Sequence, residues 1–311
     1  MDILVILSIA LAIDLVLGEP PRAMHPVVWM GKVISFLERG GGISQRPLVQ
    51  FIYGSGITLV TIGLFAAPIY FVVLYLKSFN FAVYVIVGAV LLKSTFSLRE
   101  LRRVALRLKR LLVKERLDEA RRELRSLVSR DTQGLPKPLV VSATVESVAE
   151  NTCDSFVAPL FYFLLFGVPG AIAYRVVNTL DAMVGYHEKY EYLGKFASRL
   201  DDVLNFIPAR LTALLLVLAT FLSKGSISAS WHVVLNDHAN TESPNAGWTM
   251  AAMAGGLSVQ LEKVGHYRLG EADAPLIPET IDAALNLMLL SMLSWSLICF
   301  LVGVIHFVFT A

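Results

Sequence analysis

Residues 48–76, LVQFIYGSGITLVTIGLFAAPIYFVVLYL, contain no charged side chain. A helix that crosses a bilayer needs about 20 predominantly apolar residues, so this run is long enough to span. Nothing else in the chain restricts its fold as strongly. A second uncharged run covers 78–92, and the two read as a helical hairpin with a very short connection around Lys77–Asn80. Residues 283–311 lack Asp, Glu, Lys and Arg and predict a C-terminal span from Leu285 to Phe307. The composition agrees: 55% of the 311 residues are hydrophobic and 17% are charged, against about 25% charged in soluble domains. This excludes a disordered chain and a disulfide scaffold, and it argues against an ordinary soluble enzyme.

Three further segments admit more than one reading. Residues 3–17 are apolar but short, with Asp14 inside and no basic start, so they do not resemble a cleaved signal. Residues 155–174 are broken by Gly167-Val168-Pro169-Gly170, and a re-entrant pair of short helices fits them as well as one span. Residues 204–223 predict a span kinked by Pro208.

Lys93 to Arg130 holds 13 Lys and Arg against 5 Asp and Glu. Apolar residues recur at Leu101, Val104, Leu108 and Leu111, then at Leu117, Ala120, Leu124 and Leu127, with a slip near Lys114-Glu115-Arg116. That pattern predicts two amphipathic helices. Basic loops beside spans stay in the cytoplasm, which places 93–150 inside and favours topology signalling over nucleic-acid binding. Residues 225–282 are acidic on balance. The two cysteines, Cys153 and Cys299, have no metal-ligand spacing and read as buried free thiols. The expected architecture is all-α: one polytopic membrane-embedded domain over 1–311, with broken or re-entrant helices and a largely cytoplasmic helical insertion at 93–150.

Polar clusters interrupt the apolar segments, and ionisable groups at membrane depth are costly enough to mark a site. The first runs from Asp14 through Gly18-Glu19-Pro20-Pro21-Arg22 to His25; a capped helix end with an ion pair is the plainer account of it. The second begins at Arg130-Asp131-Thr132 and continues to Glu146, Glu150, Asn151 and Asp154. Glu146, Glu150 and Asp154 are spaced i, i+4, i+8 and share one helix face, where they repel unless a cation or basic partner neutralises them. Magnesium with phosphate oxygens suits such a face. The third cluster carries Arg175, Asn178 and Asp181, and the fourth Arg199, Asp201, Asn205 and Arg210. The fifth is the turn-rich Ser243-Pro244-Asn245-Ala246-Gly247-Trp248. Walker A, GxGxxG, GxSxG and HExxH patterns are all missing from the sequence.

The segments DLVLGEPPRAMHPVVWMG, RDTQGL, TVESVAENTCD, AYRVVNTLDAMVGY, SRLDDVLNFIPARLTA and SPNAGWTMAAMAG occur in that order from about residue 10 to about residue 270. Together they resemble the membrane-embedded adenosylcobinamide-phosphate synthase family of cobalamin biosynthesis. The resemblance implies an ATP-dependent acid–amine ligase. Such an enzyme joins (R)-1-aminopropan-2-ol, or its O-phosphate, to the free propionate of the corrinoid adenosylcobyric acid. With that reaction in view, chemistry suggests roles for the residues. Glu146, Glu150, Asp154 and Asp181 are expected to hold Mg²⁺, with Asn151 and Asn178 orienting them. Arg22, Arg130 and Arg210 are expected on phosphates. His25 or Glu19 is the expected base for the attacking amine, and Glu150 and Asp181 count with them as catalytic. Ser243 and Asn245 are expected on substrate amides, and Asp131, Thr132 and Asp201 complete the binding set.

A single site requires these clusters to converge. The expected topology is therefore an outside N-terminus, four to six membrane segments in the cell membrane and motif loops on the cytoplasmic face. The expected partners are the two substrates and the lipid bilayer, with no nucleic acid. The small-residue run Ala251–Gly256 permits close helix packing within or between chains, so oligomeric state stays open, as does association with later corrinoid-pathway enzymes. The competing readings are a transporter for a corrinoid or another small polar substrate, and a scaffold that recruits soluble corrinoid enzymes.

Overall fold

The computed structural model describes residues 2–21, 23, 25–41, 46–185 and 191–310. Five helical stretches are long and apolar enough to cross a membrane: Pro47–Phe79, Phe81–Val113, Lys137–Val184, Lys195–Leu222 and Thr280–Phe309. The protein is thus an all-α polytopic membrane protein, with one small β-hairpin that the hydrophobic pattern did not foretell. The chain packs as two compact units, each built from separated stretches.

The first unit comprises 1–97, 158–204 and 299–311. Helix α1 (Asp2–Val16) packs on α4 (Phe81–Lys93), and α2 (Pro26–Gly41) packs on α3 (Pro47–Phe79). The expected hairpin between α3 and α4 is present. Its connection is the single residue Asn80, whose side chain accepts the Val83 N–H and so caps α4. Gly88 lets α1 approach α4, since a Cβ there would lie 3.1 Å from Ile6.

Helix α8 (Ala158–Val184) is not straight. Gly167 has φ 67° and ψ −162°, a conformation open essentially to glycine alone, and Pro169 follows it. The rings of Tyr162 and Tyr174 stack at 5.3 Å between centroids. Twelve residues of straight helix would separate them by about 18 Å, so the chain folds back at Gly167. Of the two readings left open for 155–174, the structure has the helical hairpin. Helix α9 (Lys195–Leu222) contains Pro208, which has no N–H for the carbonyl of Leu204. The Tyr162 hydroxyl donates to that carbonyl instead, at 2.8 Å.

The second unit comprises 98–157 and 205–298. The two amphipathic helices are α5 (Leu98–Val113) and α6 (Leu117–Leu124). They break at Glu115, which has φ 56°. Their buried positions are Leu101, Ala105, Leu108, Leu112, Ala120 and Leu124, so the inward stripe is rotated slightly from the predicted one. Helix α7 (Lys137–Thr152) is almost wholly buried and runs into a π-helical turn, Cys153–Val157. Asn151 holds this turn: its amide donates to Ser147 O, and its oxygen accepts the Ser155 hydroxyl.

Helices α10 (Ile227–Asp237) and α11 (Ala246–Leu257) pack closely on one another. Gly255 is needed there, because a Cβ would come within 2.8 Å of Ser230 Cα. The small-residue run thus serves packing within the chain. Strands β1 (Leu261–Lys263) and β2 (Tyr267–Leu269) form an antiparallel hairpin against α7. Helix α12 (Thr280–Thr310) supplies the last span. Both cysteines are free and buried, as expected.

Candidate functional site

In the first unit the polar centre lies where α1 ends. Gly18, with φ 74°, closes the helix by donating to Ile13 O, and the two prolines carry the chain away from the axis. This brings Glu19 to Lys93 at the end of α4. Lys93 is 3% exposed. It is ion-paired with Asp14 Oδ1 at 2.9 Å, and it donates to Glu19 Oε1 at 2.6 Å and to Phe96 O at 3.3 Å. Lys93 therefore answers both the buried Asp14 and the half-buried Glu19. The sequence reading passed over it, counting it as the first residue of the basic stretch. The signal was there, since Lys93 is the one charge that closes an apolar helix while an acid, Asp14, sits inside another.

Glu19 Oε2 meets His25 Nε2 at 2.8 Å, and His25 Nδ1 accepts the Val27 N–H at 3.2 Å. With Nδ1 accepting, the ring proton resides on Nε2 and is donated to Glu19. Burial pushes the Glu19 carboxyl up, but hydrogen bonds from His25 and Lys93 outweigh it and hold the pKa at about 2. A carboxylate so stabilised is a poor base, and both ring nitrogens of His25 are engaged. In the structure His25 and Glu19, the residues expected as base, form a capped helix start tied to a buried lysine. Arg22 lies outside the described residues.

On the same unit, Arg175 donates to Asn178 Oδ1 at 3.1 Å, one helical turn on. Asp181 is half-buried near the end of α8. Its carboxylate lies so close to Gly185 that a Cβ there would collide with it. Asp201 is half-buried on α9, and its neighbour Asp202 takes the ion pair with Arg199. Along α2 a groove of about 380 Å³ is lined by Lys32, Ser35 and Arg39 with Met183; no sequence motif pointed to it.

In the second unit Glu146 is the centre. It is buried, and three groups fix it. Ser142 Oγ donates to Oε1 at 2.6 Å, the Tyr267 hydroxyl donates to Oε2 at 2.9 Å, and Arg130 stands 3.2 Å away. Ser142 Oγ in turn accepts the Glu262 N–H at 2.8 Å. Burial and the Glu146 charge raise the Tyr267 pKa, so the phenol stays a donor. Both oxygens of Glu146 are engaged by the protein, which makes Glu146, expected as a metal ligand, an anchor for Arg130 and the β-hairpin in this structure. Tyr267 was invisible to sequence reasoning because its partner is 121 residues away.

Glu150 and Asp154 continue the same face. Glu150 is exposed and Asp154 half-buried, and the charge of Glu150 reaches Tyr267. Among the described residues no three His, Cys, Asp or Glu side chains form a metal-holding group. A pair of carboxylates does match the one or two that Mg²⁺ uses alongside phosphate. Asn151 is occupied with the π-turn. Thr132, expected in the binding set, is fully buried and donates to Arg121 O, which ties α6 to the following loop. Asp131 is exposed and caps the Gln133 N–H. Ser243 Oγ accepts the N–H groups of Asn245 and Ala246 and so starts α11. Asn245 is buried and accepts from Arg210.

The fold and these clusters define a polytopic helical membrane protein with acidic and basic side chains fixed among apolar helices. The family described as CobD/Cbib protein matches residues 7–288, and the chain belongs to that family. Curated relatives run the length of the chain. The "Cobalamin biosynthesis protein CobD" of Dehalococcoides mccartyi (strain CBDB1) is 55% identical over 99% of both chains. The "Probable cobalamin biosynthesis protein CobD" of Methanothermobacter thermautotrophicus is 42% identical over 94% of this chain and 95% of its own. That of Pyrococcus furiosus is 45% identical over 84% and 86%. No solved structure matches the chain.

Proposed function

We propose that this protein is the ATP-dependent ligase of cobalamin biosynthesis that makes adenosylcobinamide or its phosphate. It links (R)-1-aminopropan-2-ol, or its O-phosphate, to the free propionate of adenosylcobyric acid. The observation that carries this reading is end-to-end similarity to proteins named for cobalamin biosynthesis, joined to the six motif clusters. We place the protein in the cell membrane with its reactive groups on the cytoplasmic face.

A carboxylate does not acylate an amine unaided. The propionate oxygen attacks the terminal phosphorus of ATP, releasing ADP and giving an acyl phosphate. The neutral amine then attacks the acyl carbon, and inorganic phosphate and a proton leave. Magnesium bound at such a site neutralises phosphate charge, and Glu150 and Asp154 are the side chains that would hold it. Arg130, fixed by Glu146, sets a positive charge near that pair. Asp181, with Asn178 behind it, is assigned to substrate in the first unit.

Purified protein assayed for amide formation with ATP tests these roles. Glu150→Ala and Asp181→Ala are expected to lower the rate by about 10²-fold or more. Rates equal to wild type in both would reject the carboxylate assignment. The reversal at Gly167 is a feature that transporters share and supports the second reading, a corrinoid permease. Proteoliposome uptake without ATP consumption would favour it.

A further inference from the structure

Arg210 lies within an apolar, membrane-competent helix, Lys195–Leu222. A cation in such a place normally meets an anion, yet no carboxylate among the described residues pairs with it. Its contacts fix it in a particular way. Both protons of Nη1 are used, one by Asn245 Oδ1 and one by Phe206 O, each at 2.8 Å. Two aromatic rings stand against the guanidinium, with Cζ 3.7 Å from the Phe206 centroid and 4.7 Å from that of Trp248. Trp248 is backed by His238 at 4.3 Å.

Both Nη1 protons are therefore taken. What remains is the Nε/Nη2 edge, with two parallel N–H groups, the fork that matches two oxygens of one anion. No acceptor among the described residues meets it. The Nε1–H of Trp248, on the ring that covers the guanidinium, is buried and also has no acceptor. Donors without acceptors, around a charge without a counter-charge, describe half of a binding site.

We propose that the Nε/Nη2 edge of Arg210 binds a phosphate group, with two of its oxygens on the fork. The site rests on this geometry alone and stands whether or not the ligase reading does. A soluble phosphate compound and an anionic lipid headgroup offer the same chemistry, and the test separates them.

Full-length protein in detergent is titrated with inorganic phosphate against chloride at constant ionic strength. Binding is read by tryptophan fluorescence and by calorimetry. Wild type is expected to bind saturably. Arg210→Lys keeps the charge but lacks the fork and is expected to bind about tenfold more weakly or worse. Trp248→Phe is expected to lose the optical change while keeping calorimetric binding. Circular dichroism checks each variant's fold, and Arg210→Gln serves if the lysine variant misfolds. In nanodiscs, a soluble source predicts equal phosphate titration in phosphatidylcholine and phosphatidylglycerol. A headgroup source predicts that phosphatidylglycerol discs already show the bound signal, lost in Arg210→Lys. Equal phosphate affinity in folded wild type and fork-less variants, or no saturable binding by wild type in detergent or discs, would overturn the proposal.

Discussion

At the scale of single residues, the polar groups sort by whether their hydrogen-bonding capacity is spent. Lys93 is ion-paired with Asp14 and donates to Glu19 and Phe96 O. Removing one member of a buried pair costs about 3–5 kcal/mol, because the other charge is left uncompensated. Lys93→Met is therefore expected to lower the midpoint of thermal unfolding in detergent. Lys93→Met with Asp14→Asn is expected to recover part of the loss, and a double variant no more stable than the single one would count against the pairing. Glu19 adds a pH dependence with a definite sign. Its carboxyl titrates near 2 in the folded chain against an ordinary 4.5. Its contribution is complete above 4.5 and fades as the pH falls toward 2, as bound protons favour the unfolded chain. Melting curves of wild type and Glu19→Gln should converge over that interval, and a constant gap would refute the linkage. Tyr267→Phe leaves the buried Glu146 short of a donor, at a cost of about 1–3 kcal/mol. An unchanged melting midpoint would show that the Tyr267–Glu146 bond contributes nothing.

At the scale of elements, much was legible because it is written in runs and breaks. The hairpin of α3 and α4 followed from two uncharged stretches, and the break between α5 and α6 from a slip in apolar spacing. The reversal in α8 was one of two readings, since a glycine and a proline end a helix without saying where the chain goes next. The stacking of Tyr162 on Tyr174 decides it. Gly167→Ala forces a side chain into a glycine-only conformation, at about 1–3 kcal/mol. It should lower thermal stability, whereas Gly63→Ala, with open space around its Cβ position, should not. Equal effects would deny the turn its strain. The carboxylate stripe on α7 was also legible, but the division of labour along it was not. Glu146 and Glu150 look alike in sequence. What separates them is Ser142 one turn before, Arg130 in a loop and Tyr267 on a hairpin far down the chain. Helical periodicity carries no information about such pairings.

At the scale of the whole molecule, the chain is a membrane protein with a large share of its charge on the amphipathic helices α5 and α6. The family membership extends across almost all of it. Orientation is testable because both native cysteines are buried. A cysteine at the exposed Glu242 should be labelled by a membrane-impermeant reagent only after inverted vesicles are used or the membrane is opened. Labelling from outside intact cells would reject a cytoplasmic face for that loop. The central claim concerns chemistry, and the direct measurement is product mass spectrometry on the purified protein. Adenosylcobyric acid, ATP, Mg²⁺ and either aminopropanol or its phosphate are supplied together. The account predicts a corrinoid carrying the amide-linked aminopropanol arm, formed only with ATP and matched by one ADP for each product. Unchanged adenosylcobyric acid in the presence of all components, with folded protein, would contradict it.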